Sequence, residues 1–220
     1  MTVRAVSSRV KTDRIVPLSA PSRYGAAMPP PLPPDPSRRN EQSRRAILDA
    51  ALSLVGELGY DNVSIEAIAK RAGCGKQTIY RWWPSKGAVV LEAATQSLDP
   101  VVVFPDTGDL VADLRTQLVD ILELINTTSF GAAYRGVIAA GQSDPDLLDD
   151  VYKRVVEPNI HGFGARAALA RERGEIRADA DIQTLRDVLY GVIEYRMFHA
   201  MPLDAEHIDA LLKLTFEGVR

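Results

Sequence analysis

The sequence predicts an all-α fold with a small N-terminal helical domain and a larger helical C-terminal domain. Apolar residues recur at steps of three and four along most of the chain from residue 38 onward, which is typical of amphipathic helices. Serine or aspartate precedes several of these segments, as expected at helix N-termini. One strand-like run, Val101 to Phe104, has no second run with which to pair, so the all-α fold is favoured.

Composition narrows the class of protein. The chain has 220 residues, of which 46% are hydrophobic and 25% charged, as in ordinary soluble domains. No apolar run approaches the roughly 18 residues of a membrane span, and no apolar segment follows the basic N-terminus as in a secretory signal. One cysteine and three scattered histidines exclude an intrachain disulfide and suggest no metal site. We expect a cytoplasmic protein without membrane association or cofactor.

Residues 1–37 are predicted to form a disordered, proline-rich and basic extension. The run MPPPLPPDP at 28–36 has too many prolines for a helix or a sheet and favours polyproline II. A start codon assigned too early is a second explanation. A third is a basic arm that holds DNA phosphates or the minor groove, for which the candidates are Arg4, Arg9, Lys11 and Arg14.

The N-terminal domain is predicted at 38–85, and its first helix ends at Leu58 before Gly59. A second helix starts after Ser64, whose hydroxyl can accept from free backbone N–H groups. Val63 and Ile68 occupy the positions of a hydrophobic staple. Gly73 ends this helix, because glycine adopts left-handed dihedrals at low cost. The short turn Gly73-Cys74-Gly75 leads into a third helix.

The third helix is predicted at about 77–83, and its two faces differ in chemistry. Ile79 and Trp83, four residues apart, share the buried side, whereas Gln77 and Arg81 point outward. Pro84 stops the helix. Amide, hydroxyl, phenol and guanidinium groups on one small outer surface suit phosphates and base edges in a DNA groove.

Helices fill the predicted C-terminal domain, residues 86–220. An Asp109 cap and an Asp144-Pro145 start mark two of them, and Pro158 is expected to kink or restart the helix that contains it. The predicted ranges are 86–98, 110–127, 131–141, 145–156 continuing to 173, 181–200 and 204–219.

Two runs resemble the signature of TetR-family transcriptional regulators: AIAKRAG at 67–73 and TIYRWWPSK at 78–86. The strong match covers residues 40–95. Cys74 departs from the small aliphatic residue usual in that turn, and Trp82 and Trp83 stand where many members have His and Phe. The resemblance implies an N-terminal three-helix helix-turn-helix DNA-binding domain joined to a helical effector-binding and dimerisation domain. It implies a repressor that binds a palindromic double-stranded DNA operator as a homodimer and that a small-molecule effector releases.

Basic and acidic residues are unevenly distributed along the chain, in agreement with this division into two domains. Residues 1–37 carry five basic and two acidic side chains, residues 38–90 nine and five, and residues 91–220 twelve and twenty-two. The three net charges, +3, +4 and −10, sum to −3. A basic end attached to an acidic body suits a protein of which only the first part touches DNA. The basic cluster at 38–45 is either a solvated face or lies near the DNA backbone.

Three sets of site residues follow. Predicted base-edge contacts are Lys76, Gln77 and Arg81. The family resemblance implies phosphate contacts at Thr78, Tyr80, Trp82 and Lys86, and Ser64 is a further candidate at a helix N-terminus. Predicted effector contacts are Tyr134, Gln142, Tyr152, His161 and Phe163. The last two helices either pack within one chain or, as the family resemblance implies, form half of a four-helix dimer interface. The candidate interface residues are Leu185, Val188, Leu189, Val192, Ile208, Leu211, Leu212, Thr215 and Phe216.

An enzyme and a helical scaffold are the two alternatives to a DNA-binding regulator. No Ser/His/Asp set, metal cluster, phosphate-binding glycine loop or carboxylate pair supports an enzyme. A helical scaffold that does not read DNA is the main alternative, and the outward set on the third helix argues against it. Cys74 is either a small buried turn residue or a redox-sensitive thiol whose pKa the nearby Arg71 and Lys76 depress.

Overall fold

The computed structural model describes residues 36–96, 98 and 104–218, and the side chains from residue 40 onward within these ranges. Within them the chain forms ten α-helices and no strand. Their bounds are α1 Pro36–Leu58, α2 Ile65–Ala72, α3 Lys76–Tyr80, α4 Lys86–Thr95, α5 Leu110–Thr127, α6 Phe130–Gly141, α7 Pro145–Val151, α8 Glu157–Glu172, α9 Ile182–Phe198 and α10 Ala205–Glu217. The predicted extension, but for its last two residues, and the run 101–103 lie outside the described residues.

The signals at both ends of α2 act as predicted. The Ser64 hydroxyl accepts from the Ala67 N–H at 3.1 Å, and the stapling residues Val63 and Ile68 are buried. Gly73 follows the helix with φ at 67°, where a Cβ would strain the backbone. Because these capping interactions limit α2 to eight residues, α3 can begin three residues after Gly73.

Helix α3 is shorter than predicted, since it ends at Tyr80 instead of Trp83. Trp83 precedes Pro84, and the proline ring disfavours helical dihedrals at the residue before it. The Trp83 N–H still donates to the Ile79 carbonyl at 3.0 Å. The two side chains therefore keep the predicted spacing, and both are buried.

Two apolar clusters hold the fold together. The first joins α1, α2, α3, α4, α6 and α7 and also includes Leu124 of α5 and Met197 of α9, and the second joins α5, α8, α9 and α10. Helix α4 lies at the centre of the first cluster, because Val89 and Val90 are fully buried between neighbouring helices and α4 packs on both α1 and α6. The helices that carry the outward polar set thus share a core with α6.

A buried ion cluster supports the second half of the chain. The Arg166 Nε donates to Asp113 Oδ2 at 2.7 Å and its Nη2 to Glu175 Oε2 at 2.7 Å, while Asp113 and Arg166 are 1% and 3% exposed. Burial alone would raise the pKa of Asp113, but hydrogen bonds from Thr107 and Arg166 outweigh it and hold that pKa below its ordinary value. The cluster ties α5, α8 and the segment after α8 together.

The helix predicted from 145 to 173 contains one wide turn. Residues Tyr152–Val156 form a π-helix between α7 and α8. Pro158 has no N–H, and in a regular helix its ring would clash with the carbonyl four residues earlier, that of Arg154. The wide turn accommodates this ring without ending the helix, and such turns often occur at functional sites. We call Tyr152–Val156 the π segment.

Among the described helices, none is both long and apolar enough to span a lipid bilayer. The described residues also contain no group of three or more His, Cys, Asp or Glu side chains arranged to hold a metal ion.

Candidate nucleic-acid interface and effector cavity

The outer face of α3 presents polar side chains, while its inner face is part of the core. Gln77 and Arg81 are exposed and Tyr80 is 50% exposed, whereas Ile79 is fully buried. Thr78 lies between the two faces, half-buried. Because Ile79 anchors the helix, its outward groups are held on a fixed surface that can approach a DNA groove.

Two tryptophans support Arg81. The Arg81 Cζ lies 5.3 Å from the Trp82 ring centroid, and the Trp82 ring meets Trp83 edge-on at 5.4 Å. The Trp83 Nε1 donates to Glu92 Oε2 of α4 at 3.1 Å. A guanidinium over an indole face is stabilised by about 0.5–1 kcal/mol at exposed sites. Trp82, predicted as a phosphate contact, therefore also orders Arg81, a role that the sequence did not reveal.

The other candidates nearby make internal contacts that DNA could replace. The Lys76 Nζ donates to Glu66 Oε1 at 2.8 Å, which brings Lys76 beside the first turn of α2, next to the exposed Ser64. Both side chains of this pair are more than half exposed. Since exposed ion pairs contribute little, Lys76 remains available to a phosphate or a base.

Lys86 differs from the other candidates, because its ammonium turns inward. Its Nζ donates to the Tyr60 carbonyl at 2.9 Å and lies 4.1 Å from the centroid of the Tyr60 ring. Burial lowers the pKa of Lys86. The predicted phosphate contact would require the ammonium to leave this carbonyl. In the position observed, Lys86 joins α4 to the turn after α1. Gly136 of α6 packs against Tyr60 of the same turn.

Cys74 is a half-buried turn residue packed against the first cluster. Burial raises the pKa of its thiol. Arg71 and Lys76 instead form ion pairs with Glu57 and Glu66. The structure therefore gives the redox interpretation no support.

A cavity of about 340 Å³ lies between α5, α6, α8, α9 and the π segment. Most of its wall is apolar, with Ile121, Leu124 and Phe130 among the lining side chains. The polar or charged side chains in the described lining are Tyr134, Asn159, Arg186, Asp187, Tyr190 and Glu194. A cavity of this kind suits one small organic molecule, since ligand pockets measure about 300–1,000 Å³.

Of the five predicted effector contacts, only Tyr134 lines this cavity. Gln142, Tyr152 and His161 are exposed and lie outside the lining. Phe163 belongs to the second cluster, where it meets Phe104 and Tyr190 edge-on. The sequence places Tyr152, His161 and Phe163 on helices, but which side of the π segment or of α8 faces the cavity depends on packing between distant helices.

Hydrogen bonds and burial shape the polar side of the cavity. The Tyr134 hydroxyl donates to Glu194 Oε1 at 3.2 Å, and the Tyr190 hydroxyl donates to Gln117 Oε1 at 2.7 Å. Burial raises the pKa of Glu194 and, with the nearby Glu194 carboxylate, the pKa of Tyr134. Among the described residues no basic side chain pairs with Glu194.

The π segment connects the cavity with the helices below α3. Val155 and Val156 line the cavity, and the preceding Arg154 places its Nη1 3.6 Å from Glu92 Oε2. The same carboxylate oxygen of Glu92 accepts from Trp83. A displacement of the π segment can therefore reach the end of α3 through two consecutive contacts.

The predicted dimer interface divides into two groups. Leu189, Ile208, Leu211 and Leu212 are buried in the second cluster, so they pack within their own chain, which is the alternative to a dimer interface that the sequence leaves open. Leu185, Thr215 and Phe216 are half-buried. Val188 and Val192 are exposed, and so are three residues that the prediction omitted: Tyr195, Phe198 and Leu214.

Comparisons with known proteins agree with this architecture. Residues 47–93 match the family model described as bacterial regulatory proteins of the tetR family, and residues 104–215 match the tetracyclin repressor-like C-terminal domain. The HTH-type transcriptional regulator YdeS of Bacillus subtilis is 32% identical over 83% of this chain and 92% of its own length. The DNA-binding transcriptional repressor TetR of Mycobacteroides abscessus is 31% identical over 83% of this chain and 98% of its own length.

Solved structures give the same result. The crystal structure of the TetR-family transcription regulator SCO0332 has a TM-score of 0.68 and 33% identity, and the match covers 81% of this chain and 99% of that one. FadR from Bacillus subtilis, solved in complex with stearoyl-CoA, has a TM-score of 0.65 over 80% of this chain and 99% of its own. At 18% identity that likeness shows the fold alone. The matching domains and relatives are those of regulators and not of enzymes, and this chain belongs to the TetR family of helix-turn-helix, DNA-binding transcriptional regulators.

Proposed function

We propose that the protein is a repressor that binds a palindromic DNA operator as a homodimer and leaves it when a small organic effector binds. The observation that carries the proposal is the two-faced α3, with Ile79 fully buried and Gln77, Tyr80 and Arg81 exposed. As a DNA-binding protein it would act in the cytoplasm. We assign DNA binding to residues 38–85 and effector binding and dimerisation to residues 86–220.

Base and phosphate contacts divide by chemistry. The Arg81 guanidinium can bind guanine through two hydrogen bonds and the Gln77 amide can bind adenine in the same way. Hydroxyl, indole and ammonium groups suit phosphates, which fix register without reading sequence. The proposed base contacts are Lys76, Gln77 and Arg81, and the proposed phosphate contacts are Ser64, Thr78, Tyr80 and Trp82.

A homodimer accounts for the exposed apolar face of α9. Val188, Val192 and Tyr195 follow one another at steps of four and three residues, so they lie on one side of the helix, and Leu214 adds an exposed apolar group on α10. Exposed apolar patches of this kind are typical of interaction surfaces. Two copies related by a dyad would present two α3 helices to half-sites roughly 34 Å apart or a multiple of it.

An effector would act by binding one conformation better than another. Occupancy of the cavity would displace Val155 and Val156, and Arg154 would carry the displacement to Glu92 and Trp83. Operator affinity then falls by the ratio of the effector's affinities for the two conformations and by no more.

Selection of bound duplexes from a random DNA pool tests the proposal. We expect a palindrome whose half-sites are spaced by one helical turn or a multiple, and binding that weakens steeply with salt because counterions are released. A scaffold protein would enrich no sequence. That result, together with a monomer in sedimentation, would refute both operator reading and dimerisation.

A further inference from the structure

The wall of the cavity carries excess negative charge. Three charged side chains line it within the described residues: Arg186, Asp187 and Glu194. One is positive and two are negative, so the formal charge of this lining is −1. The Arg186 Nη2 donates to Asp187 Oδ1 at 2.5 Å, and these two groups neutralise each other. The charge that remains is the carboxylate of Glu194.

Glu194 lies in surroundings that favour a cationic partner. Its Oε1 accepts from the Tyr134 hydroxyl at 3.2 Å, and no other side-chain hydrogen bond to it occurs among the described residues. Burial raises the pKa of Glu194, because few polar groups surround the charged form. A carboxylate in apolar surroundings costs free energy unless a charge or hydrogen-bond donors compensate it. A bound cation would supply that compensation.

Aromatic rings complete this end of the cavity. Phe130 and Tyr134 are stacked, with ring centroids 5.5 Å apart and planes inclined by 12°, and Tyr190 lies in the same lining. Ring faces attract ammonium groups, and they do so more strongly where water is excluded. An anionic ligand would instead meet these negative faces and the Glu194 carboxylate.

We propose that the cavity binds lipophilic organic cations, with the ammonium group between Glu194 and the rings of Phe130, Tyr134 and Tyr190 and the apolar body against α5 and the π segment. This inference rests on the proposed function, because it names the chemical class of the effector of that same cavity.

A matched series of ligands tests the charge. The series is 3-(1-naphthyl)propylamine, its N,N,N-trimethyl derivative, the corresponding alcohol and the corresponding carboxylic acid, all with one apolar body. Calorimetry with the full-length protein near neutral pH should show both cations binding at least about tenfold more tightly than the alcohol, a difference of about 1.4 kcal/mol. The acid should bind most weakly.

Glu194→Gln keeps the shape and the hydrogen-bond acceptor and removes the charge. In this variant the cations should bind no better than the alcohol, whose affinity should not change. Glu123→Gln, on the exposed side of α5 and outside the lining, is the matched control and should keep the preference for cations. The proposal fails if no member of the series binds, if the acid binds best, or if Glu194→Gln retains the preference.

The dependence of cation affinity on pH gives a second test of the Glu194 charge. The trimethylammonium compound stays charged at every pH, so its affinity should fall as acidification protonates Glu194. The raised pKa of Glu194 moves this fall to higher pH than for an ordinary glutamate. The other titratable or charged groups of the described lining are Tyr134, Arg186, Asp187 and Tyr190. Glu194→Gln should abolish the fall, and a fall that persists in this variant contradicts the assignment.

Operator binding separates the inference about a cationic effector from the proposed function as a repressor. Without ligand, Glu194→Gln should bind the selected duplex like the parent protein, since Glu194 belongs to the cavity and not to the DNA surface. If the operator is bound and the charge preference is absent, only the inference about the cation is lost. If no operator is found at all, the proposed function fails independently of the ligand series.

Discussion

The proposed DNA-binding end and the cavity region depend on the sequence over different distances along the chain. All proposed DNA contacts lie between Ser64 and Trp82, on two short helices, the turn between them and the residues that flank them. The cavity takes its lining from residues 98–197, on helices far apart in the chain. The first surface depends on caps, a turn and the two faces of one helix, whereas the second exists only after long helices have packed.

The two regions also handle charge differently. Near the DNA surface the ion pairs are exposed, as between Lys76 and Glu66. In the C-terminal half the Asp113–Arg166 pair is buried. Exposed pairs can be exchanged for phosphates at little cost, while a buried pair is strongly destabilised when one partner is removed. The first arrangement suits a surface that changes partners and the second suits a body that keeps its shape.

The largest expected effect is on stability, from Arg166→Met. Asp113 and Glu175 would then lose their guanidinium, and we expect the free energy of unfolding to fall by about 3–5 kcal/mol. Chemical denaturation followed by circular dichroism measures it. Arg115→Met, which removes the exposed pair with Asp209, is the control and should leave stability close to that of the parent. Equal losses from the two substitutions would contradict the contrast between the regions.

The same cluster predicts a dependence on pH. The pKa of Asp113 is depressed in the folded protein, so its contribution to stability is present above the unfolded pKa of about 3.9. That contribution is lost as the pH falls through the lower, folded pKa. The difference in stability between the parent protein and Arg166→Met should therefore shrink below about pH 4. A difference that grows on acidification would rule out the ion pair as its cause.

The next effect tests the exposed face of α9. Val192→Glu places a charge in the proposed dimer interface without touching the core, and operator affinity should fall by about 100-fold or more, because one half-site alone retains only part of the specific binding free energy. Sedimentation should show a monomer. Val111→Glu, an equally exposed valine on α5, is the matched control. A dimer that survives Val192→Glu would place the interface elsewhere.

What the sequence predicts well is local. The Ser64 cap, the Gly73 stop and the shared burial of Ile79 and Trp83 each depend on residues within a few positions of one another. The all-α fold follows from the same short-range periodicity. The predicted end of α3 lies three residues too late, because Trp82 and Trp83 both donate their N–H groups to the Ile79 carbonyl and so form a turn in place of a regular helical end.

What the sequence does not predict depends on packing. An apolar stripe on α9 or α10 indicates burial, but it does not say whether the covering surface comes from the same chain. The sequence therefore predicts Leu189 and Ile208 at the interface, although they are fully buried within the chain. Likewise, His161 and Glu194 are polar residues on long helices, and only the assembled fold shows that Glu194 lines the cavity.

A smaller effect distinguishes the side chains that recognise bases from those that contact phosphates or hold another side chain in place. Arg81→Ala should cost about 1–3 kcal/mol of discrimination at one base pair per half-site, whereas Tyr80→Ala should weaken binding to all sequences alike. Trp82→Ala should weaken discrimination at the Arg81 position by about 0.5–1 kcal/mol, since it removes the ring beneath the guanidinium. Repeating the duplex selection with each variant measures these losses. If Trp82→Ala weakens all sequences equally, Trp82 contacts phosphate and does not order Arg81.

The smallest effect probes the connection between the two regions. Arg154 lies 3.6 Å from Glu92, and its side chain is 46% exposed, so the pair contributes only a few tenths of a kcal/mol to about 1 kcal/mol. Arg154→Ala should therefore lower operator affinity no more than about fivefold, and Lys153→Ala, whose surface pair with Asp149 faces away from this contact, should not lower it. In a Glu92→Gln background, Arg154→Ala should have almost no further effect, because the cycle isolates the coupling of the two side chains. If the two losses simply add, the π segment does not communicate with α3 through Glu92, and an effector must act by another route, such as the packing of α6 against Tyr60 and α4.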